Sequence, residues 1–506
     1  MLHIKHINLP LFLDHNLYLI YNRRVIDKTE ISDFGKVKNK MDENKNMMPE
    51  NKMGTSPIGR LLIGMAVPMM LSMLVQAFYN VVDSIFVAQI SEDALTAVSL
   101  AFPLQNLMIA FGAGTAVGIN AILSRSLGEK RQDLVDRSAG TGIFLSIASA
   151  IIFAIIGAFL SRPFFMTQTD NAQIIEYGVD YSSICLIFSI GIFSQFCFER
   201  LLQSTGKTTL AMVTQMTGAI INIILDPIFI FKTGDPIFGG AFTMPFGLGL
   251  EVAGAAYATI IGQIIAATFA IILNIKVNRE INLSFRLIRW DSDMALRIYK
   301  VGFPSILMQS VGSVMNFFLN QILIGFTTTA TAVFGAYFKL QSFIFMPIFG
   351  LNSGMVPIIA YNFGAKKPDR VKKTIRLSLI LALSIMAAGV LVFEFMPSAL
   401  LSFFNASEAM MEIGIPALRT IAICFIPAGF CIISISVFQA IGNPMHSFFI
   451  SLGRQLGVLI PVAWLLSKTG RLNLVWFAFP IAEIASLCMC AFFLVGTLKK
   501  VSALKD

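Results

Sequence analysis

"SLGEKRQD" at residues 126–133 returns as "NFGAKKPD" at residues 362–369. The two stretches are 236 residues apart, and Gly128, Lys130 and Asp133 recur as Gly364, Lys366 and Asp369. The same interval joins Pro68 to Pro304, Asn80 to Asn316, Gln105 to Gln341, and Gly118 to Gly354. It also joins Gln203 to Gln439 and Gly206 to Gly442. A constant spacing held over so long a stretch marks an internal repeat.

What repeats is apolar. The chain has 506 residues, 56% hydrophobic and 13% charged, with a mean hydropathy of +0.75. A soluble globular chain is about 25% charged. Apolar runs recur that are long enough to cross a hydrocarbon core of about 30 Å as helices. They are continuous rather than alternating, which excludes a β-barrel. Twelve spans are expected, at 61–87, 94–123, 138–160, 176–199, 208–232, 252–275, 298–325, 330–360, 374–396, 411–440, 446–467 and 473–497. Each repeat thus holds six spans. Six is even, so both copies enter the membrane from the same side and form parallel repeats about an axis along the membrane normal. The expected fold is an all-α polytopic membrane protein, with twelve transmembrane helices in two pseudo-symmetric six-helix lobes. The divisions read from the sequence are a polar lead (1–56), an N-lobe (57–275), a linker (276–297), a C-lobe (298–497) and a tail (498–506). The lead is either a disordered tail or upstream of a later start, with Met41 the first choice.

The net charge of +9 is not a nucleic-acid footprint once it is placed on these spans. The 2–3 loop "SRSLGEKRQDLVDR" carries four basic residues, the 8–9 loop "NFGAKKPDRVKKTIR" carries six, and the linker is basic as well. The 7–8 loop "TTTAT" has none and the 9–10 loop "FNASEAMME" only acids. Basic loops on one side, with both termini, place that side in the cytoplasm. Lys468 and Arg471 in the 11–12 loop are a weak exception. All six cysteines lie in apolar runs, and three of the four histidines lie in the lead. Neither a disulfide framework nor a structural metal site is expected. "STGKTT" at 204–209 lacks the first glycine and the strand of a P-loop, so no ATP drive is expected.

Ionisable groups inside spans cost about 2.5–3.5 kcal/mol on insertion scales and default to a functional reading. In span 1, Gln76, Asn80 and Asp83 are spaced to share a helical face. In span 5, "NIILDPIFIF" (222–231) places Asn222 one turn before Asp226, and Pro227 frees the carbonyl of Ile223. Carboxylates, an amide oxygen and a loose carbonyl suit a proton or a small hard cation. The repeat supplies an internal control. Asp83 corresponds to Leu319, Asn222 to Val458, Asp226 to Val462 and Glu199 to Ile435. Asp83, Asn222 and Asp226 are therefore the candidate cation site, with transient Na⁺ binding there as one form of it. Gln76, Asn80, Glu199 and Glu483 are candidate supporting residues. Glu199 is equally readable as an interfacial ion pair with Arg200, and Lys339 and Arg454 as packing or snorkelling cations. No nucleophile–base set is found inside the spans, so no catalytic residue is expected.

These features carry a family resemblance. "GMAVPMMLSMLVQAFYNVVDSIFVAQ", "SRSLGEKRQD", "FERLLQSTGKTTLAM", "NIILDPIFIF" and "VAGAAYATIIGQ" in the first half, echoed by "QAIGNPMHSFFISLGRQ", resemble the multidrug and toxic compound extrusion (MATE) family over residues 57 to 497. The chain is most similar to the bacterial DinF-like and Gram-positive multidrug members. The resemblance implies a secondary antiporter of a bacterial cytoplasmic membrane. It would exchange inward H⁺ or Na⁺ for small organic substrates, often cationic, and work as a monomer without a cofactor, ATP or nucleic acid. The family's span 1 aspartate and its Asn-x-x-x-Asp pair in span 5 fall on Asp83, Asn222 and Asp226. One branch has a second acid site in the other lobe. Here the corresponding segments, "GFPSILMQSVGSVMNFF" and "GNPMHS", carry no acid. The rival reading is an exporter of a lipid-linked precursor or another endogenous metabolite.

Overall fold

The computed structural model describes residues 51–505, apart from 238, 239 and 405. The readings made for residues 1–50 lie outside the described residues. Ten helices are long and apolar enough to cross a membrane, and two further bent pairs bring the number to twelve. Span 1 is Ile58–Ala88, span 2 Glu92–Gly128 and span 3 Gln132–Met166. Span 4 is broken into Ala172–Ile187 and Ile190–Ser204, which meet at 44°. Span 5 is Thr208–Ile230 and span 6 Glu251–Val277. Spans 7, 8 and 9 are Ser292–Ile324, Thr328–Gly364 and Pro368–Phe395. Span 10 is again broken, into Glu408–Ala422 and Phe425–Ile441 at 48°. Span 11 is Pro444–Ser467 and span 12 ends in the helix Ala478–Ser502. The breaks in spans 4 and 10 fall at corresponding positions of the repeat.

The duplicated loops fold alike. Lys130 and Lys366 have φ of 55° and 53°, and Gly206 and Gly442 have φ of 83° and 87°. The Arg131 amide donates to Ser126 O at 3.0 Å, and the Lys367 amide to Asn362 O at 2.9 Å. The Lys207 amide donates to Leu202 O and the Asn443 amide to Phe438 O, both at 2.8 Å. Two lysines in the left-handed region at equivalent places show that the turn geometry outweighs their side-chain preference.

The repeats also meet symmetrically. Span 2 packs on span 7, and span 8 packs on span 1. Spans 2 and 8 are the most deeply buried, 67% of the apolar stretch of each. Where they cross, a Cβ on Gly128 would lie 2.0 Å from Tyr361 O, and one on Gly364 would lie 2.3 Å from Arg125 O. Only glycine permits that approach. The basic 2–3 and 8–9 loops therefore lie at one end of the bundle.

The linker is fastened at the same end. Asp291 caps span 7 by accepting from the Met294 amide at 3.1 Å, and pairs with Arg137 Nε at 2.7 Å. The Arg137 guanidinium holds the Asp291 carboxyl below its ordinary range. A short helix, Lys52–Thr55, docks on the second repeat. Asn362 Nδ2 and Arg370 Nη2 both donate to Met53 O at 2.9 Å.

Two features depart from the expected outline. The 5–6 connection folds into a hairpin, with β1 (Pro236–Ile237) antiparallel to β2 (Phe242–Thr243). Span 11 takes a π-helical course over Gly453–Leu459.

Candidate ion site and central cavity

Span 5 carries its polar residues on the face turned toward spans 1 and 6. Asn222 and Asp226 are 2% and 0% exposed. Asn222 Nδ2 donates to Asp226 Oδ1 at 3.3 Å and to Thr259 Oγ1 of span 6 at 3.1 Å. That pins the amide and turns its oxygen away from Thr259. Asp83 of span 1 comes within hydrogen-bonding reach of Asp226. Helix 5 continues through Pro227 and ends one turn later, at Ile230. The Ile228, Phe229 and Phe231 carbonyls then accept from the Leu248, Leu250 and Gly249 amides, each at 2.8 Å. The hairpin segment thus closes this end of span 5.

Three oxygens are enclosed there without a hydrogen-bond donor: Asp83 Oδ1, Asn222 Oδ1 and Asp226 Oδ2. An enclosed oxygen without a donor is expensive. A proton or a sodium ion is what an all-oxygen set of this kind accepts. Among the described residues, no group of three or more His, Cys, Asp and Glu side chains gathers.

The supporting residues separate. Gln76 accepts from Gln215 Nε2 at 2.5 Å, and Ser72 donates to Gln215. This forms a polar seam between spans 1 and 5. Asn80 is exposed and joins neither seam nor acid pair through a side-chain bond. It lies roughly 40–60° round the helix from Gln76 and Asp83, which places it on the rim of the expected face. Glu199 is buried and accepts from Gln195 Nε2 at 2.9 Å and Thr214 Oγ1 at 3.4 Å. It forms no ion pair with Arg200, so the interfacial-pair reading fails. Arg200 instead donates from Nη1 to Gln203 Oε1 at 2.8 Å and to Ser353 Oγ at 3.4 Å.

Glu483 pairs with Arg454 Nη1 at 2.6 Å, linking spans 12 and 11. Arg454 therefore does not snorkel; it holds spans 11 and 12 together through an ion pair. Both residues, with Arg200, line a cavity of about 490 Å³ between the repeats. Lys339 is exposed and is not part of that lining.

Sequence reasoning missed Thr259, Gln215, Tyr79, Tyr181 and Cys185. The last three lie in electrostatic reach of Asp83. Gln105, already marked by the repeat, ties in by donating to Tyr181 Oη at 3.2 Å. The repeat held a further signal: Tyr79 corresponds to Met315 and Cys185 to Ile421.

Comparison with known proteins agrees with this architecture. The MatE family model matches residues 68–228 and again 304–465. The two matches begin 236 residues apart, the interval of the repeat. A multidrug export protein MepA from Staphylococcus haemolyticus is 27% identical over 438 residues, covering 86% of this chain and 92% of the relative. An FAD transporter from Shewanella oneidensis is 25% identical over 437 residues, covering 86% and 94%. Among solved structures, the outward-facing conformation of a multidrug resistance MATE family transporter superposes with a TM-score of 0.81. It is 24% identical, over 90% of this chain and 99% of that one. A MOP superfamily transporter from Pyrococcus furiosus, whose title reports a binding pocket of reverse polarity, also gives 0.81. It is 25% identical, over 91% and 99%.

Proposed function

The chain belongs to the MatE family of multi-pass efflux transporters, and on that footing we propose that it is an antiporter driven by H⁺ or Na⁺ at Asp83, Asn222 and Asp226. The observation that carries this reading is the set of three enclosed oxygens without donors, one on each residue. Two carboxyls in contact, with an amide oxygen beside them, hold either a shared proton or a dehydrated sodium ion. Two such acids titrate as a coupled pair.

Binding neutralises the pair and lets spans 1 and 5 close on each other. Loss of the ion restores the repulsion and drives them apart. The lobes meet through the close crossing of the basic-loop end, so the pathway is closed there. Basic loops and both termini belong to the cytoplasmic face of a bacterial inner membrane. The N-lobe (57–275) carries the ion, and the C-lobe (298–497) supplies most of the substrate cavity. The linker (276–297) joins the two lobes in sequence, and the tail (498–506) follows the second. One chain holds the whole pathway, so a monomer suffices, without ATP or a cofactor.

A second reading, export of an endogenous metabolite, is supported by the relative named as an FAD transporter. Both readings share the coupling step. The test is substrate efflux from vesicles containing the full chain, under an imposed proton or an imposed sodium gradient. Drive by one gradient, abolished in Asp83→Asn and in Asp226→Asn, supports the reading and names the ion. Undiminished efflux in both variants overturns it and moves attention to Glu199.

A further inference from the structure

We propose that the central cavity selects organic anions built on a flat ring, and that the Arg200 guanidinium binds their anionic group. The inference rests on the efflux reading above and names the class of molecule exported.

The charge of the cavity carries the argument. Arg200, Arg454 and Glu483 are the charged residues that line it. Arg454 and Glu483 neutralise each other at 2.6 Å. Arg200 has no carboxylate within ion-pairing distance among the described residues. Its chain neighbour Glu199 is turned toward Gln195 and Thr214, as successive helical side chains point in different directions. Both bonds of Arg200 run from Nη1 to neutral partners. The Nε and Nη2 groups are left as a fork suited to a carboxylate or phosphate. A guanidinium within a membrane span that no carboxylate pairs with directly is costly and points to function.

The remaining lining defines the rest of the ligand. Phe338, Phe345 and Phe349, none of them buried, offer apolar ring surface to a ligand's ring. Asn316 Oδ1, Asn352 Oδ1 and Glu483 Oε2 are enclosed acceptors without a donor. They fit N–H or O–H groups carried on that ring. A volume of about 490 Å³ accommodates one such molecule. A cationic substrate finds no free carboxylate here. Asp83 and Asp226 are not in the lining, and Glu483 is committed to Arg454.

The experiment uses two dyes with one ring system: fluorescein, an anion, and rhodamine 123, a cation. Binding to the purified full chain is read by fluorescence anisotropy, and efflux is read from proteoliposomes. The wild type is expected to prefer fluorescein by at least about tenfold, the weight of one charged hydrogen-bonded contact. Arg200→Gln should lose that preference and keep its rhodamine affinity, whereas Arg200→Lys should retain most of it. Asp83→Asn should still bind fluorescein. Equal affinities, a rhodamine preference, absence of fluorescein binding, or an Arg200→Gln variant as selective as wild type would each overturn the proposal. Selective fluorescein binding without efflux under either gradient would leave it standing and sink the antiport reading instead.

Discussion

Asp83, Asn222 and Asp226 occupy places where the second repeat has Leu319, Val458 and Val462. Leu319 is fully buried, and the two valines pack against the apolar core. One backbone plan therefore encloses orphaned oxygens in one lobe and plain hydrocarbon in the other. The reverse contrast appears in span 11. Arg454 stands where the first repeat has Gly218, and there the helix takes its π-helical course. Such irregularities are frequent at functional sites. The pair of lobes teaches that the fold does not require the acids, since its twin folds the same turns without them. On the proposed reading, the asymmetry divides the work, with ion coupling in one lobe and most of the substrate cavity in the other.

The largest effect should come from making the lobes alike. A triple variant, Asp83→Leu with Asn222→Val and Asp226→Val, copies the second repeat into the first. Gradient-driven efflux should fall to background, while the melting temperature in detergent stays at or above wild type. Replacing buried polar groups by apolar ones of similar size is neutral or stabilising. A triple variant that fails to fold would show that the acids are structural.

The opposite graft, Leu319→Asp, puts a lone carboxylate into a filled core. It should destabilise the chain by roughly 3–5 kcal/mol, read as a lowered melting temperature and reduced yield. Breaking the Arg454–Glu483 pair is next. Glu483→Gln alone should cost about 2–3 kcal/mol, discounted because Arg454 is a quarter exposed. The double variant Glu483→Leu with Arg454→Met should recover most of that loss in the same melting assay.

The smallest effect concerns the linker. Asp291→Ala removes a helix cap and a partly exposed ion pair, and should cost about 1 kcal/mol by thermal melting. Because Arg137 lowers the folded-state pKa of Asp291, this contribution is full at neutral pH. It is present above the unfolded carboxylate value of about 4 and fades as pH falls through the lower folded value. The difference between wild type and Asp291→Ala should therefore shrink in acid.

Most of the architecture was legible because a membrane span must be a long apolar run and a duplication leaves a fixed interval. All twelve expected spans meet helices of the structure, with ends that differ by up to six residues. The breaks in spans 4 and 10 were not read from the sequence because the apolar runs continue through Phe188 and Ile423, although Pro427, which cannot donate to the carbonyl of Ile423, sits one turn past the second break. The hairpin was signalled by Asp235–Pro236 and the glycines after it, but short strands carry little periodicity. At the candidate ion site, Asp83, Asn222 and Asp226 stood out because each is polar in an apolar run and absent from its twin. Thr259 and Gln215 did not, because a single Thr or Gln in a span is common helix–helix glue. The Arg454–Glu483 pair was missed as a pair because its members are 29 residues apart on neighbouring spans. Spacing along one helix cannot reveal such a contact.

The central claim is that the coupling ion sits in the first lobe and not in the second. Ion binding to the purified full chain tests it directly, with sodium followed by calorimetry and proton uptake by a pH-sensitive dye in weak buffer. The account predicts one saturable ion-binding event in wild type, lost in Asp226→Asn and retained in Glu483→Gln. Binding that survives Asp226→Asn and disappears in Glu483→Gln would place the ion in the other lobe and contradict the account.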